Sequence, residues 1–156
     1  NGAAAGAGID MASMADIRVA STEARFTQAY TRNGIVAGDG GAYYLPRIVG
    51  MAKALELLWT SRLFGAEEAL QLGYVSRVVE HAKLMEETLQ FARELAEGPS
   101  VAIQYIKQLA YASQDTDIAT ALRMAQWQQT VVSVTEDAKE GPRARREKRP
   151  PKFTGR

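Results

Sequence analysis

Two glycines and a carboxylate fall within five residues at Gly6-Ala7-Gly8-Ile9-Asp10, and an apolar, helix-compatible run leads on to Asp16. Glycine lets the main chain approach a ligand closely and adopt dihedrals that other residues avoid. The first amides of a helix have no intrahelical acceptor and can receive developing negative charge. This turn therefore predicts a cradle for an anionic oxygen, with Asp10 close enough to move a proton or to attack. The bland reading of Asp10 is a first-turn acid that complements the helix dipole. A dinucleotide turn is the other reading of the Gly6–Gly8 pair, but no third glycine follows three residues later.

The composition narrows the chemistry further. The chain has 156 residues, 46% hydrophobic, enough for a sizeable core. Its net charge of +1 gives no global field that favours nucleic acid or acidic membrane. There is no cysteine, which excludes disulfides and thiolate catalysis and fits a cytoplasmic setting. His81 is the only histidine, so neither a two-histidine metal site nor a histidine relay can form within one chain. No apolar run reaches the roughly 18 residues of a membrane span. The opening Asn1-Gly2 lacks an initiator methionine and a basic start, and reads as the interior of a longer protein.

The elements that must position the turn follow in order. Ala3, Ala4 and Ala5 suit the end of a buried strand, and residues 8–14 a short helix. Ile17, Val19 and Ala20 predict a strand, and Ala24-Arg25-Phe26 a second extended piece. Residues 33–41 hold four glycines and predict a tightly formed loop. Helices are expected over 42–48, stopped by Gly50, and over 52–60, with Leu55, Leu58 and Trp59 as the buried face. A short helix with Glu67 and Glu68 in its first turn ends at Gly73, and residues 74–79 alternate like an edge strand. Strand, helix, strand, helices, strand predicts an α/β core over residues 1–81.

Residues 82–156 change to helix alone. Met85, Leu89, Ala92, Leu95 and Ala96 share one face of a helix that Gly98-Pro99 stops. Ser100 is placed to cap the next, with Ala102, Tyr105, Ile106 and Leu109 as its stripe. Asp115 or Asp117 can cap a third, with Ile118, Leu122 and Ala125. Three amphipathic helices in succession need a covering surface, either the α/β core or other subunits. Residues 139–156 carry eight basic and two acidic side chains. This tail reads either as a solvated, mobile end or as a site for phosphate groups.

Residues 1–12 with Asp16-Ile17-Arg18 resemble the central motif of the crotonase (enoyl-CoA hydratase/isomerase) family. The resemblance extends through Ala24-Arg25-Phe26, Gly38-Asp39-Gly40-Gly41, Leu45-Pro46-Arg47, Val49-Gly50, Glu68-Ala69, Gly73 and the stretch from Val75 to Val79. Glu147-Lys148-Arg149-Pro150-Pro151 with Phe153 is similar to the closing segment. Together these motifs span about the C-terminal three-fifths of a typical family subunit. The resemblance implies a spiral of strand–strand–helix turns, truncated at its N-terminus, followed by C-terminal oligomerisation helices. It also implies an acyl-CoA thioester as substrate, no further cofactor and no metal, and a homotrimer or dimer of trimers with no nucleic-acid or membrane partner. The chemistry passes through a thioester enolate held by two backbone amides. By the motif Ala7 supplies one amide, and the second belongs to the part of the family that precedes Asn1. Gly6 and Gly38 fall at substrate-binding positions.

The acid–base residues depart from the family pattern. Typical hydratases carry glutamates at the positions held here by Asp10 and Tyr30. Tyr30 cannot take a proton near neutral pH, because an unperturbed phenol titrates at about 10; it reads as a wall of the acyl pocket or as a donor. Asp39 lies one residue beyond the catalytic aspartate of some dehalogenases and dienoyl-CoA isomerases of the family, and otherwise reads as a turn residue. Lys148 matches a lysine that contacts the CoA phosphates. Arg145 stands where an apolar residue packs on adenine, and arginine can stack there too. Asp16 and His81 read as structural and surface residues. The expectation is an acyl-CoA-processing enzyme, with hydration, isomerisation and hydrolysis all open. The alternative is a non-catalytic fragment or assembly subunit that keeps the trimer helices. Nucleic-acid binding is the weakest reading, because only Phe153 interleaves the basic tail.

Overall fold

The computed structural model describes residues 1–156. The chain forms two compact units, Asn1–Leu89 and Gln90–Arg156.

In the first unit, β1 (Ala3–Ala5) runs into α1 (Ala7–Ser13) through Gly6. Gly6 has φ 52° and ψ −121°, a conformation that a side chain would strain, and this lets strand turn to helix in one residue. β2 (Val19–Ser21) and β3 (Arg25–Thr27) follow, then a 3₁₀ turn at Thr31–Asn33. α2 (Gly41–Val49), α3 (Met51–Thr60), β4 (Phe64–Gly65), α4 (Ala66–Gln71) and β5 (Arg77–Val79) complete the unit. β1 pairs in parallel with β3, setting Ala4 opposite Phe26, and β3 pairs antiparallel with β4. β2 pairs in parallel with β5. Strands close in sequence thus enter two different sheets, as a winding of strand–strand–helix turns requires.

The core lies between these sheets' residues and the helices. Ile9, Leu45, Leu57, Phe64 and Tyr74 are almost completely buried. The rings of Phe26, Phe64 and Tyr74 form one cluster, with Phe26 5.3 Å from each of the other two. Tyr74 also donates its hydroxyl to the Ile9 carbonyl at 3.0 Å and lies 3.1 Å from Ser13 Oγ. A seven-residue helix is too short to persist by itself, so α1 is held by this cluster and by α2.

Side-chain burial and strand limits depart from the sequence expectations at several places. Trp59 is 69% exposed, and the buried face of α3 is formed by Ala54 and Leu57, with Leu55 and Leu58 half-buried. Side-chain size had pointed to Trp59, but the close packing of α3 selects the alanine side. Only Arg77–Val79 of the stretch 74–79 is strand. Tyr74 and Val75 both direct their amides to the Ala69 carbonyl and fill the core before the strand begins. Ile17 is exposed and lies outside β2.

α5 (Leu84–Ala96) runs across the division between the units. The second unit then contains α6 (Ser100–Ala112), α7 (Ile118–Ser133) and α8 (Glu136–Glu147). Ser100 does not cap α6: Pro99 holds that position and Ser100 is the first helical residue. Asp117 does cap α7, accepting from Thr120 N at 3.0 Å, whereas Asp115 ends a 3₁₀ turn. The apolar stripes are largely open in the single chain; Ile106, Ile118, Leu122 and Trp127 are all exposed.

The tail folds back on α8 through its backbone, while most of its basic side chains stay exposed. Asp137 and Glu140 on α8 are both buried, and buried carboxylates demand donors. Residues after α8 fold back to supply them. Asp137 accepts from Thr154 N at 2.7 Å and Gly155 N at 2.9 Å. Glu140 accepts from Lys152 N at 2.9 Å and from Arg149 at 2.6 and 3.0 Å. The Arg156 carbonyl accepts from the amides of Glu136 and Asp137 at the start of the same helix.

Two outcomes follow for this clamp. Asp137→Ala leaves the Thr154 and Gly155 amides without acceptors and is expected to speed their hydrogen exchange while the Lys152 amide stays protected by Glu140. The Arg149 hydrogen bonds, with the Lys152 amide, hold the Glu140 carboxyl down at about 2 against an ordinary 4.5. A depressed carboxyl stabilises above its unfolded pKa, so the docking of the tail is complete above about pH 4.5 and is lost as pH falls towards 2. The chemical shift of the Lys152 amide during an acid titration checks this.

Candidate active site

Asp10 belongs to the first turn of α1 and has no exposed surface. It is enclosed because α1 and α2 meet at Gly41. A Cβ on Gly41 would overlap Asp10 Oδ1 and come within 2.8 Å of its Cγ. No side chain is compatible with this carboxylate in this place. Tyr30 approaches from the other direction. Ala29, at φ 56°, turns the chain just before it, and the Tyr30 ring lies beside Gly6. The Tyr30 hydroxyl stands 2.8 Å from Asp10 Oδ2 and 3.1 Å from Asp39 Oδ2, donating towards both. Asp39 lies in the loop that precedes α2 and is exposed.

The three groups are therefore arranged from closed to open: Asp10 sealed, Tyr30 nearly so, Asp39 in solvent. Burial pushes the Tyr30 hydroxyl well above its ordinary 10, and the hydrogen bonds to Asp10 and Asp39 push it further. Tyr30 stays a phenol at every pH of interest and serves as a donor, not a base. Its single hydrogen can lie along only one of the two contacts at full strength. The other contact becomes a good hydrogen bond when that carboxyl carries a proton and donates it to the phenol oxygen. Asp10 Oδ1 has no hydrogen-bond partner.

Beside this trio, the Ile9 and Asp10 amides both bond to the Gly6 carbonyl. The Ala7 and Gly8 amides precede them at the start of α1, where a helix has no internal acceptors to offer. Both residues are exposed. The site thus sets open amides next to a carboxylate–phenol–carboxylate chain. Such a set can stabilise an oxyanion and move a proton nearby.

Gly6, Ala7, Asp10, Tyr30 and Asp39 come together in the first unit, with Gly38 in the same loop as Asp39. Lys148 and Arg145 belong to the second unit, and both are exposed. Lys148 ends α8 in the left-handed region at φ 53°. No group of three His, Asp or Glu side chains gathers as a metal cluster. A cavity of about 310 Å³ lies apart from the trio, among Ala4, Ala12, Ile17, Phe26 and Tyr74. Its lining holds no acid or histidine. Two site features went unread in the sequence. Gly41 is needed for the approach of α1 and α2, and the Gly40-Gly41 doublet at the head of an apolar helix was its only signal. Gln28 is fully buried with neither end of its amide partnered, and nothing in its sequence context marks it.

Against known proteins, the family model described as Enoyl-CoA hydratase/isomerase matches residues 1–156. A protein named "Probable enoyl-CoA hydratase" from Rhodobacter capsulatus is 38% identical over 156 residues, which is 100% of this chain and 61% of that protein. The short-chain-enoyl-CoA hydratase of Clostridioides difficile is 40% identical over 141 residues, 90% of each protein. The crystal structure of enoyl-CoA hydratase from Bacillus anthracis superposes with a TM-score of 0.96 at 33% identity, covering 100% of this chain and 60% of that one. The chain thus spans about three-fifths of the length of the first relative and of this structure.

Gly41→Ala tests the packing that builds the site. Overpacking at this contact is expected to cost about 1–3 kcal/mol. In thermal unfolding this appears as a lower Tm, and a crystal structure of the variant should show Asp10 displaced from Tyr30.

Proposed function

The chain belongs to the enoyl-CoA hydratase/isomerase family and has its crotonase fold; from that premise we propose that the Asp39–Tyr30–Asp10 trio processes an acyl-CoA thioester through its enolate. The thioester oxygen accepts a hydrogen bond from the Ala7 amide, which gains strength as the oxygen becomes negative. Asp39, the open carboxylate of the trio, takes or delivers the proton at the carbon beside the thioester. Asp10 stands behind it through Tyr30. Gly6 and Gly38 keep the backbone bare where the acyl group passes. Lys148 holds CoA phosphates, and Arg145 stacks on the adenine. No cofactor beyond the CoA thioester takes part.

One observation carries this reading: a hydroxyl shared by two carboxylates, beside the first amides of α1. Family hydratases use two glutamates, and here one of those positions is a phenol that keeps its proton. Proton transfer is therefore better supported than the usual two-base addition of water.

A second reading is a non-catalytic assembly subunit, built into a homotrimer or dimer of trimers by its C-terminal helices. The exposed Ile106, Leu122 and Trp127 favour it. Light scattering together with assays of crotonyl-CoA hydration and 3-enoyl-CoA isomerisation separates the two. An oligomer that binds CoA but turns over neither substrate supports the subunit.

For the enzyme reading, Asp39→Asn and Asp10→Asn are each expected to lower turnover of the CoA thioester by about 10²–10⁴, with CoA affinity by calorimetry unchanged. Lys148→Ala is expected to do the reverse, weakening CoA binding while a short thioester without the nucleotide is unaffected. Full activity in both aspartate variants would remove the trio from the mechanism.

A further inference from the structure

Resting on the acyl-CoA reading, we propose that Asp39, Tyr30 and Asp10 form a proton relay with a closed end. A proton collected at Asp39 is handed to the Tyr30 oxygen as the Tyr30 hydrogen passes to Asp10, both are held away from water, and the exchange runs back by the same route. The reaction class this favours is a proton shift within one substrate, as in moving a double bond of an enoyl-CoA, over the addition of water.

The argument rests on the order of exposure. Asp39 is open to solvent and Asp10 has no exposed surface, and one hydroxyl lies within hydrogen-bond distance of both. Gly41 seals the far side of Asp10 so tightly that not even a methyl group fits there. A proton on Asp39 exchanges with water; a proton on Asp10 can leave only through Tyr30.

The step balances without an ionised phenol. The substrate C–H gives its proton to the Asp39 carboxylate and its electron pair to the thioester, which becomes the enolate. Protonated Asp39 then donates to the Tyr30 oxygen while the Tyr30 hydrogen moves to Asp10 Oδ2. Asp39 is a carboxylate again, Tyr30 is still a phenol, and Asp10 is a neutral acid. On return, the hydrogen on Asp10 moves back to Tyr30, and the one first taken from the substrate moves back to Asp39. From there it is delivered to a different carbon. The original atom is thus kept from solvent while the substrate rearranges. The high proton affinity of Tyr30 suits it to pass a proton without losing one.

Other ionisable groups on the surrounding elements are Tyr74, Arg18 and, from α2, Tyr43, Tyr44 and Arg47. Tyr74 bonds to Ile9 and Ser13, Arg18 packs 5.3 Å from the Tyr74 ring, and Arg47 lies over Tyr43. Phenols and guanidinium groups keep their charge state from acid to neutral pH, so titrations in that range at this site belong to the two aspartates.

The first test needs no substrate. In a chain with ¹³Cγ-labelled aspartate, the Asp10 and Asp39 resonances are expected to move together in two shared steps, as coupled groups do. In Tyr30→Phe each should follow a single step of its own. Independent single-step curves in the unaltered protein overturn the relay, whatever its catalysis. The second test uses 3-hexenoyl-CoA deuterated at its α carbon, in ordinary water. The unaltered protein is expected to carry deuterium into the γ position of the product, and Tyr30→Phe to lose most of that label to solvent at least several-fold faster per turnover. Equal label retention in the two proteins overturns the relay. If the resonances are coupled but no CoA thioester is turned over, the relay stands and the acyl-CoA reading fails.

Discussion

The centre of this protein depends on one missing Cβ. At Gly41 the backbone of α2 approaches α1 so closely that the Asp10 carboxylate occupies the volume any side chain would need. That contact decides three things together. It sets the spacing of two helices, it closes Asp10 off from water, and it leaves Asp10 only one direction in which to find a partner, towards Tyr30. The positions of Tyr30 and Asp39 matter chemically because Asp10 cannot turn away from them.

α1 is held from its other end as well. Tyr74 reaches from beyond α4 to the Ile9 carbonyl and Ser13, while its ring is fixed edge-on against Phe26 and Phe64. Burial raises the proton affinity of the Tyr74 hydroxyl, so this anchor too stays neutral. A helix of seven residues would otherwise fray. Here a phenol fixes its core side and a glycine fixes its neighbour, and the open amides of Ala7 and Gly8 inherit that rigidity. Preorganised donors of this kind are what oxyanion stabilisation requires.

Much of this was legible in the sequence where glycine and proline punctuate it. The turn at Gly6, the α/β core, the stop at Gly98-Pro99 and the cap at Asp117 all follow from short-range rules. What was not legible depends on partners far along the chain. Tyr30 meets Asp10 across twenty residues, and Asp137 meets Thr154 and Gly155 across seventeen and eighteen. Charge counting over residues 139–156 made the tail look unattached because it takes Glu140 for an ordinary surface acid and leaves out Asp137, when both are buried acceptors for backbone amides. Size misled at Trp59, since the tight side of α3 admits an alanine and a leucine but no indole. The glycine turn and the family resemblance both pointed to Asp10, but only the fold shows that it is sealed and that Asp39 is exposed.

Ala29, Ser61 and Lys148 hold positive φ angles without being glycine. For an ordinary side chain such a conformation costs roughly 1–2 kcal/mol. Two of the three adjoin the proposed chemistry: Ala29 aims Tyr30, and Lys148 carries the cation proposed to meet phosphate. A glycine at either position would relax the backbone, yet at Ala29 it would loosen the aim of the phenol and at Lys148 it would delete the charge. Selection of this protein for heat resistance alone would therefore tend to favour these two replacements, and each gain in melting temperature there would come at the expense of the site.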